Sequence, residues 1–136
     1  MRPFHLAFPV TNLESTKTFY VDLLQCNIGR TSDKWIDFNM FGHQVVAHLV
    51  EKYDHPSTNQ VDGDDVPASH FGIILTMNQW NQLNQHLEKF DVNFIIKPKI
   101  RFKGEAGEQA TMFFLDPSGN ALEFKAFKDD KQIFAT

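Results

Sequence analysis

Apolar and polar positions alternate at the start of the chain. In Phe4-His5-Leu6-Ala7-Phe8-Pro9-Val10, the side chains of Phe4, Leu6 and Phe8 fall on one side and His5 and Ala7 on the other, the period of a half-buried strand. After Asn12, whose side chain suits a helix N-cap, the period changes. Leu13, Phe19, Tyr20, Leu23 and Leu24 form one stripe at helical spacing. Gly29 lies in the turn region beyond, and strands are predicted at 28–31, 35–41 and 44–50. The first part therefore reads β-α-β-β-β. Residues 51–68 lose the pattern: Pro56, Ser57, Asn59, Asp62, Gly63, Asp64, Asp65 and Pro67 read as a polar connection. Its acids do not make a calcium loop, because Pro67 stands where a glycine would be needed.

The same order then returns. Ser69-His70-Phe71-Gly72-Ile73-Ile74-Leu75 alternates, with Phe71, Ile73 and Leu75 on one face and His70 and Gly72 on the other. Asn78 is the expected cap of a helix with the stripe Trp80, Leu83, Leu87 and Phe90. A short strand is expected at 94–96 and a loop at 98–109. The chain closes with a hairpin over 110–127, around the turn Asp116-Pro117-Ser118-Gly119-Asn120. The first strands of the two halves are offset by 65 residues, from position 5 to position 70, so the chain is an internal repeat. The expectation is one α+β domain over 1–136: module one at 1–50, connection 51–68, module two at 69–127 and tail 128–136.

The alternation carries chemistry. If each helix covers one sheet face, then His5, His48, His70 and Glu123 all lie on the opposite face, in the first and last strands of each half. A carboxylate between Leu122 and Phe124 must be exposed, paired or bound to a metal. Four such donors placed symmetrically by a repeat make a candidate metal site: His5, His70 and Glu123 as ligands, with His48 as a fourth ligand or a nearby base. The remaining histidines read as ordinary, His43 in a turn, His55 in the connection and His86 solvated on the second helix. Arg101, Glu108 and Gln109, with Lys103, are candidates to line a substrate pocket. Trp35, Phe113 and Phe114 read as core, and Cys26 as an unactivated thiol.

Composition narrows the partners. A formal net charge of -4 leaves no basic footprint for nucleic acid and no polybasic membrane patch. No apolar run approaches the ~18 residues of a membrane span, and the N-terminus lacks a signal h-region. One cysteine excludes an internal disulfide framework and fits a cytoplasmic setting. A small-molecule substrate is the partner expected.

The repeat, the His/His/Glu set and Asp116-Pro117-Ser118-Gly119-Asn120-Ala121-Leu122-Glu123 resemble the vicinal oxygen chelate superfamily, which includes glyoxalase I, fosfomycin and bleomycin resistance proteins and extradiol dioxygenases. Trp35-Ile36-Asp37-Phe38, Phe41-Gly42-His43-Gln44 and Arg101-Phe102-Lys103-Gly104 are similar to a single-domain group described as predicted dioxygenases. The resemblance implies two paired βαβββ modules forming an incomplete, metal-enclosing β-barrel. It also implies a homodimer that builds its site within one chain or across two. On this resemblance, His5, His70 and Glu123 match a 2-His-1-carboxylate set for Fe(II) or Mn(II), and His48 matches a base that stands near the metal without ligating it. The implied activity is extradiol-type cleavage of a catechol-like diol, with His48 and Glu123 as catalytic groups. The alternative is a glyoxalase-type lyase in which Zn(II) or Ni(II) takes His48 as fourth ligand. A drug-binding protein of the same fold is the non-enzymatic alternative. Ring-cleaving enzymes carry an acid Tyr near the final hairpin, where this chain has Phe113 and Phe114.

Overall fold

The structure, a computed structural model, describes residues 1–54, 57–61 and 63–136. His55, Pro56 and Asp62 lie outside the described residues, and so do the readings made for them above. The chain forms two compact units, one of Met1–His55 with Asp116–Asn120, the other of Pro56–Leu115 with Ala121–Thr136.

In the first unit, β1 (His5–Val10) leads into α1 (Leu13–Thr18), which widens into a π turn over Phe19–Leu23. Then come β2 (Asn27–Thr31), β3 (Trp35–Met40) and β4 (His43–Leu49). Asn12 caps α1 by accepting from the Ser15 N–H at 2.8 Å, as expected from the sequence. The sheet runs β1-β4-β3-β2, with β1 parallel to β4 and the other neighbours antiparallel. Registered neighbours project to the same side. Phe8, Ile36, Phe38, Val45 and Ala47 therefore share the buried face. Tyr20 is completely buried there, with its ring centroid 5.4 Å from Phe8 and 5.1 Å from Phe38. The opposite face carries His5, Gln44, Asn39 and Asn27 as one lateral row. Ala7, Val46 and Asp37 form the next row, and Pro9, His48 and Trp35 the one beyond. Trp35 is thus on the open face and exposed rather than in the core.

The turn Asp116–Asn120 belongs to this unit and is built around one buried carboxylate. Asp116 Oδ1 accepts the backbone N–H groups of Ser118 and Asn120, both at 2.9 Å. Its Oδ2 accepts the Tyr20 hydroxyl and the Asn120 side-chain amide, again both at 2.9 Å. Asn120 Nδ2 also donates to the Pro9 carbonyl at 2.8 Å, and the Thr11 N–H donates to Ser118 Oγ at 3.0 Å. Burial pushes the Asp116 carboxyl above its ordinary value, while the Asn120, Tyr20 and Ser118 donors pull the other way. Burial, then the Asp116 charge, holds the Tyr20 phenol well above its usual range.

In the second unit, β7 (Phe94–Arg101), β8 (Gln109–Leu115) and β9 (Ala121–Phe127) form an antiparallel sheet in that order. The segment expected to be a strand over 69–75 makes only two parallel bridges to β9, Phe71 to Leu122 and Ile74 to Lys125. It is still tied there by the Phe71 N–H to the Ala121 carbonyl at 3.2 Å and the Leu75 N–H to the Lys125 carbonyl at 2.8 Å. Helix α2 (Met77–Leu87) is capped by Thr76, two residues before the expected cap. Thr76 and Gln79 form a reciprocal capping box, which satisfies two end donors where Asn78 would satisfy one. Trp80, Leu83 and Leu87 are buried, and Trp80 Nε1 donates to the Phe124 carbonyl at 3.0 Å. Phe90, the predicted last member of the stripe, lies past the helix end against the ring of a half-buried His86. Phe114 stacks on Phe124 on the helix-covered face.

Two sequence expectations change here. The polar connection contains a hairpin, β5 (Thr58–Val61) and β6 (Asp64–Pro67). Its main apolar anchor is Val66, buried with Ile96, Phe113 and Ala121, which is too little signal for a periodicity reading. The strand expected at 94–96 continues to Arg101, so the loop after it is shorter. Pro98 disguised it: it sits in the irregular stretch between Ile96 and Lys99, where the ladder is interrupted and a missing N–H costs little.

A candidate metal centre

Phe71 shares a side of the sheet with its partner Leu122, so His70 and Gly72 face the other way. On β9 that other side carries Glu123, with Phe113 opposite it on β8 and Thr111 and Lys125 as the next pair. His70 Nε2 lies 3.3 Å from Glu123 Oε2. Each side chain is held by its other polar atom. His70 Nδ1 meets the Pro67 carbonyl at 2.8 Å. A carbonyl only accepts, so Nδ1 carries the hydrogen and the neutral ring presents its lone pair on Nε2. Thr111 donates its hydroxyl to Glu123 Oε1 at 2.9 Å, which leaves Oε2 toward His70. Lys125 Nζ stands 3.8 Å from Oε2, and the ring of Phe113 packs edge-on against His70 with centroids 4.9 Å apart.

The pair is electrostatically coupled. The hydrogen bond to Glu123 outweighs burial and raises the His70 pKa above 6.5. Burial pushes Glu123 up, but the His70 bond, Lys125 and Thr111 together leave it below 4.5. The sign follows for the metal-free protein. The His70 contribution to stability is complete below its ordinary value and is lost as pH rises through the raised one. The Glu123 contribution is complete above its ordinary value and is lost as pH falls through the lowered one. The share of the urea midpoint that this pair contributes should therefore be complete between about 4.5 and about 6.5 and decline above and below. In His70→Ala the decline that begins near about 6.5 should vanish, leaving the later alkaline one set by the buried Cys26 thiol and Tyr20 phenol.

In the first unit, His5 Nδ1 contacts Gln44 Oε1 at 2.8 Å. An amide oxygen only accepts, so this ring too carries its hydrogen on Nδ1 and presents Nε2. His48 does not join His5. The register pairs His5 with Gln44 and His48 with Pro9, four positions along β1. At ~3.3 Å per residue that is about 13 Å along the strands, so the two histidines are not lateral neighbours. The register places Gln44, not His48, directly beside His5.

The other predicted site residues turn inward or onto their own loop. Arg101 is only 5% exposed; Nη2 is 3.3 Å from Asp64 Oδ2 and Nη1 donates to the Val61 carbonyl at 3.3 Å. With Lys99 Nζ at 2.8 Å from the same carboxylate, it anchors the β5–β6 hairpin and does not line an open loop. Glu108 accepts the Gly104 N–H at 2.8 Å, and Gln109 Nε2 donates to the Gly107 carbonyl at 3.3 Å, both bracing the turn between β7 and β8. Burial raises the Cys26 thiol to about 12, which keeps it a neutral thiol. Tyr20, one of two tyrosines, has its hydroxyl committed to Asp116.

Among the described residues no three His, Cys, Asp or Glu side chains are gathered as a ready cage for a metal. At each position taken by itself the donor chemistry suits a divalent ion: His5 and His70 each rest Nδ1 on a neutral acceptor and keep the lone pair on Nε2. No helix among the described residues is long and apolar enough to cross a membrane.

The sequence profile of the Glyoxalase/Bleomycin resistance protein/Dioxygenase superfamily matches residues 2–124. A glyoxalase/bleomycin resistance protein/dioxygenase from Alicyclobacillus acidocaldarius is 32% identical, with 97% of this chain and 96% of that chain covered and a TM-score of 0.83. The fosfomycin resistance protein FosX from Listeria monocytogenes shares the fold at 13% identity, TM-score 0.71 and coverage of 94% and 93%. An integron cassette protein from the mobile metagenome of a Halifax Harbour sewage outfall does so at 23% identity, TM-score 0.67 and coverage of 91% and 97%. The chain belongs to the glyoxalase, bleomycin resistance protein and dioxygenase superfamily.

Proposed function

We propose that the protein is a metal-dependent enzyme of the extradiol dioxygenase type, acting on a small substrate that chelates through two neighbouring oxygens. In this reading His5, His70 and Glu123 hold a divalent ion, Fe(II) or Mn(II) before Zn(II) or Ni(II), in paired βαβββ modules that form an incomplete barrel. The observation that carries it is the His70–Glu123 pair, in which Pro67 and Thr111 take the outer polar atoms and leave Nε2 and Oε2 toward each other. Three protein ligands leave open positions for substrate. The bound ion supplies Lewis acidity to the substrate oxygens and, as iron, a route to oxygen chemistry. The chain's own groups orient and dry the site: Pro67 fixes the His70 tautomer, Thr111 and Lys125 hold Glu123, and Phe113 covers one side of the imidazole.

One observation favours a redox-neutral second reading. The Tyr20 hydroxyl is consumed by Asp116, so it cannot serve as the acid of ring cleavage. A glyoxalase-type isomerisation needs no such donor. Anaerobic loading separates the two: oxygen uptake with a catechol panel on Fe(II) protein supports the first. Turnover of thiol hemithioacetals on Ni(II) or Zn(II), without oxygen uptake, replaces it.

Metal content tests the ligand set itself. His5→Ala, His70→Ala and Glu123→Ala should each weaken divalent metal binding by roughly 100-fold or more, whereas His48→Ala should bind as the unaltered protein does. Metal loss in His48→Ala equal to that in His5→Ala would overturn the assignment. The ligands come from one chain or from two paired chains. Mixing His5→Ala with Glu123→Ala protein restores metal sites only if the site is shared.

A further inference from the structure

A cavity of about 340 Å³ opens on the first unit, lined by Arg30, Asp37, Asn39, His43 and Gln44 among others. Its hydrogen-bond inventory has a sign. The Gly42 N–H donates to Asn39 Oδ1 at 2.8 Å, which occupies the acceptor end of that amide and leaves its NH2 to donate elsewhere. Gln44 spends Oε1 on His5 Nδ1, which likewise leaves its NH2. The Phe4 N–H donates to His43 Nδ1 at 2.9 Å, so the neutral His43 ring carries its hydrogen on Nε2 and is a donor there. Three residues that line one cavity thus each keep a neutral donor, because their acceptor atoms are used locally. The two charged groups offset each other: the Arg30 guanidinium, largely exposed, stands 3.7 Å from the nearly buried Asp37 carboxylate.

We infer that this cavity binds the carboxylate end of a small monoanionic molecule, seated on Asn39, His43 and Gln44 with Arg30 at its mouth. A carboxylate offers only acceptors, the complement of a donor-lined wall. The Asp37 charge disfavours a phosphoryl dianion, because the single guanidinium is already shared. A volume of this order holds one small organic acid. That the acid is a substrate rests on the proposed metal-dependent function, since Gln44 joins this wall to His5. Binding of the acid alone does not.

The probe is benzoate against its neutral isostere benzamide, titrated into the metal-free protein and followed by side-chain and backbone amide shifts in nuclear magnetic resonance spectra. Benzoate should shift the Asn39 and Gln44 NH2 signals and the Gly29 and Gly42 amides, and should bind at least about ten times tighter than benzamide. Asn39→Asp keeps the acceptor for the Gly42 N–H but turns the donor into an acceptor. It should lower benzoate affinity about ten-fold or more and leave benzamide little changed. Asp37→Asn should tighten benzoate. Equal binding of the two probes, benzoate shifts away from this cavity, or weaker benzoate binding by Asp37→Asn overturns the inference. The metal reading fails separately, through the metal content of His70→Ala and Glu123→Ala, which do not line this cavity.

Discussion

Gly72→Ala is expected to cost roughly 3–5 kcal/mol of stability and to abolish tight metal binding at the same time. No unusual dihedral is involved; the residue needs space. A Cβ built on Gly72 would overlap the carbonyl oxygen of Glu123 and press on its carbonyl carbon and amide nitrogen. Those are backbone atoms of a strand paired along its length with β8, so they cannot swing aside as a side-chain tip would. The 70–75 segment must move away instead. That strains the Glu123 N–H to Phe71 carbonyl bond at 2.9 Å and the Phe71 and Leu75 bonds to β9. His70 moves with it and loses its 3.3 Å approach to Glu123. Chemical denaturation together with metal titration checks both parts. A stable Gly72→Ala protein that binds metal normally would show that this approach does not position His70.

Gly72 also shows where the sequence was legible and where it was not. Strict alternation placed His70 and Glu123 on one face, and the structure puts them there, because period-2 geometry leaves a strand no other choice. Register between strands is different. Sequence alone gave His48 the same face as His5, which is correct, but not its row. The row depends on where β4 begins against β1, and that is set by the Phe41-Gly42 turn and the Phe4 N–H to His43 bond. The β5–β6 hairpin was hidden for a further reason. Asp64, Lys99 and Arg101 hold it to the sheet through charges that are far apart in sequence and look like loop polarity until they are paired. His43 reads as an ordinary turn histidine and Gln44 carries no mark, because nothing in their spacing identifies a residue whose role is to hold another's hydrogen.

The second large effect lies in the turn. Asp116→Ala should lose roughly 3–5 kcal/mol, because one truncation leaves the Tyr20 hydroxyl, two backbone N–H groups and the Asn120 amide without their acceptor in a buried place. For a chain of this length that is a fall in Tm of about 10–20 °C. The graded variants locate the cost. Tyr20→Phe removes one donor from a carboxylate that keeps three, and should cost only about 1–2 kcal/mol. Asp116→Asn keeps an oxygen for some donors but sets its own NH2 against the others, and should fall between. In Asp116→Ala the further change Tyr20→Phe should cost little or even restore stability, since it deletes an orphaned hydroxyl. The double-mutant cycle then gives a coupling energy of about 1 kcal/mol or more between residues 96 positions apart in the chain. Full additivity in that cycle would mean that the Tyr20–Asp116 bond contributes nothing, and that the burial of each group alone accounts for the loss. A measurable coupling instead makes Tyr20 a structural tyrosine, whose phenol is spent on holding the first unit together and is withdrawn from proton transfer.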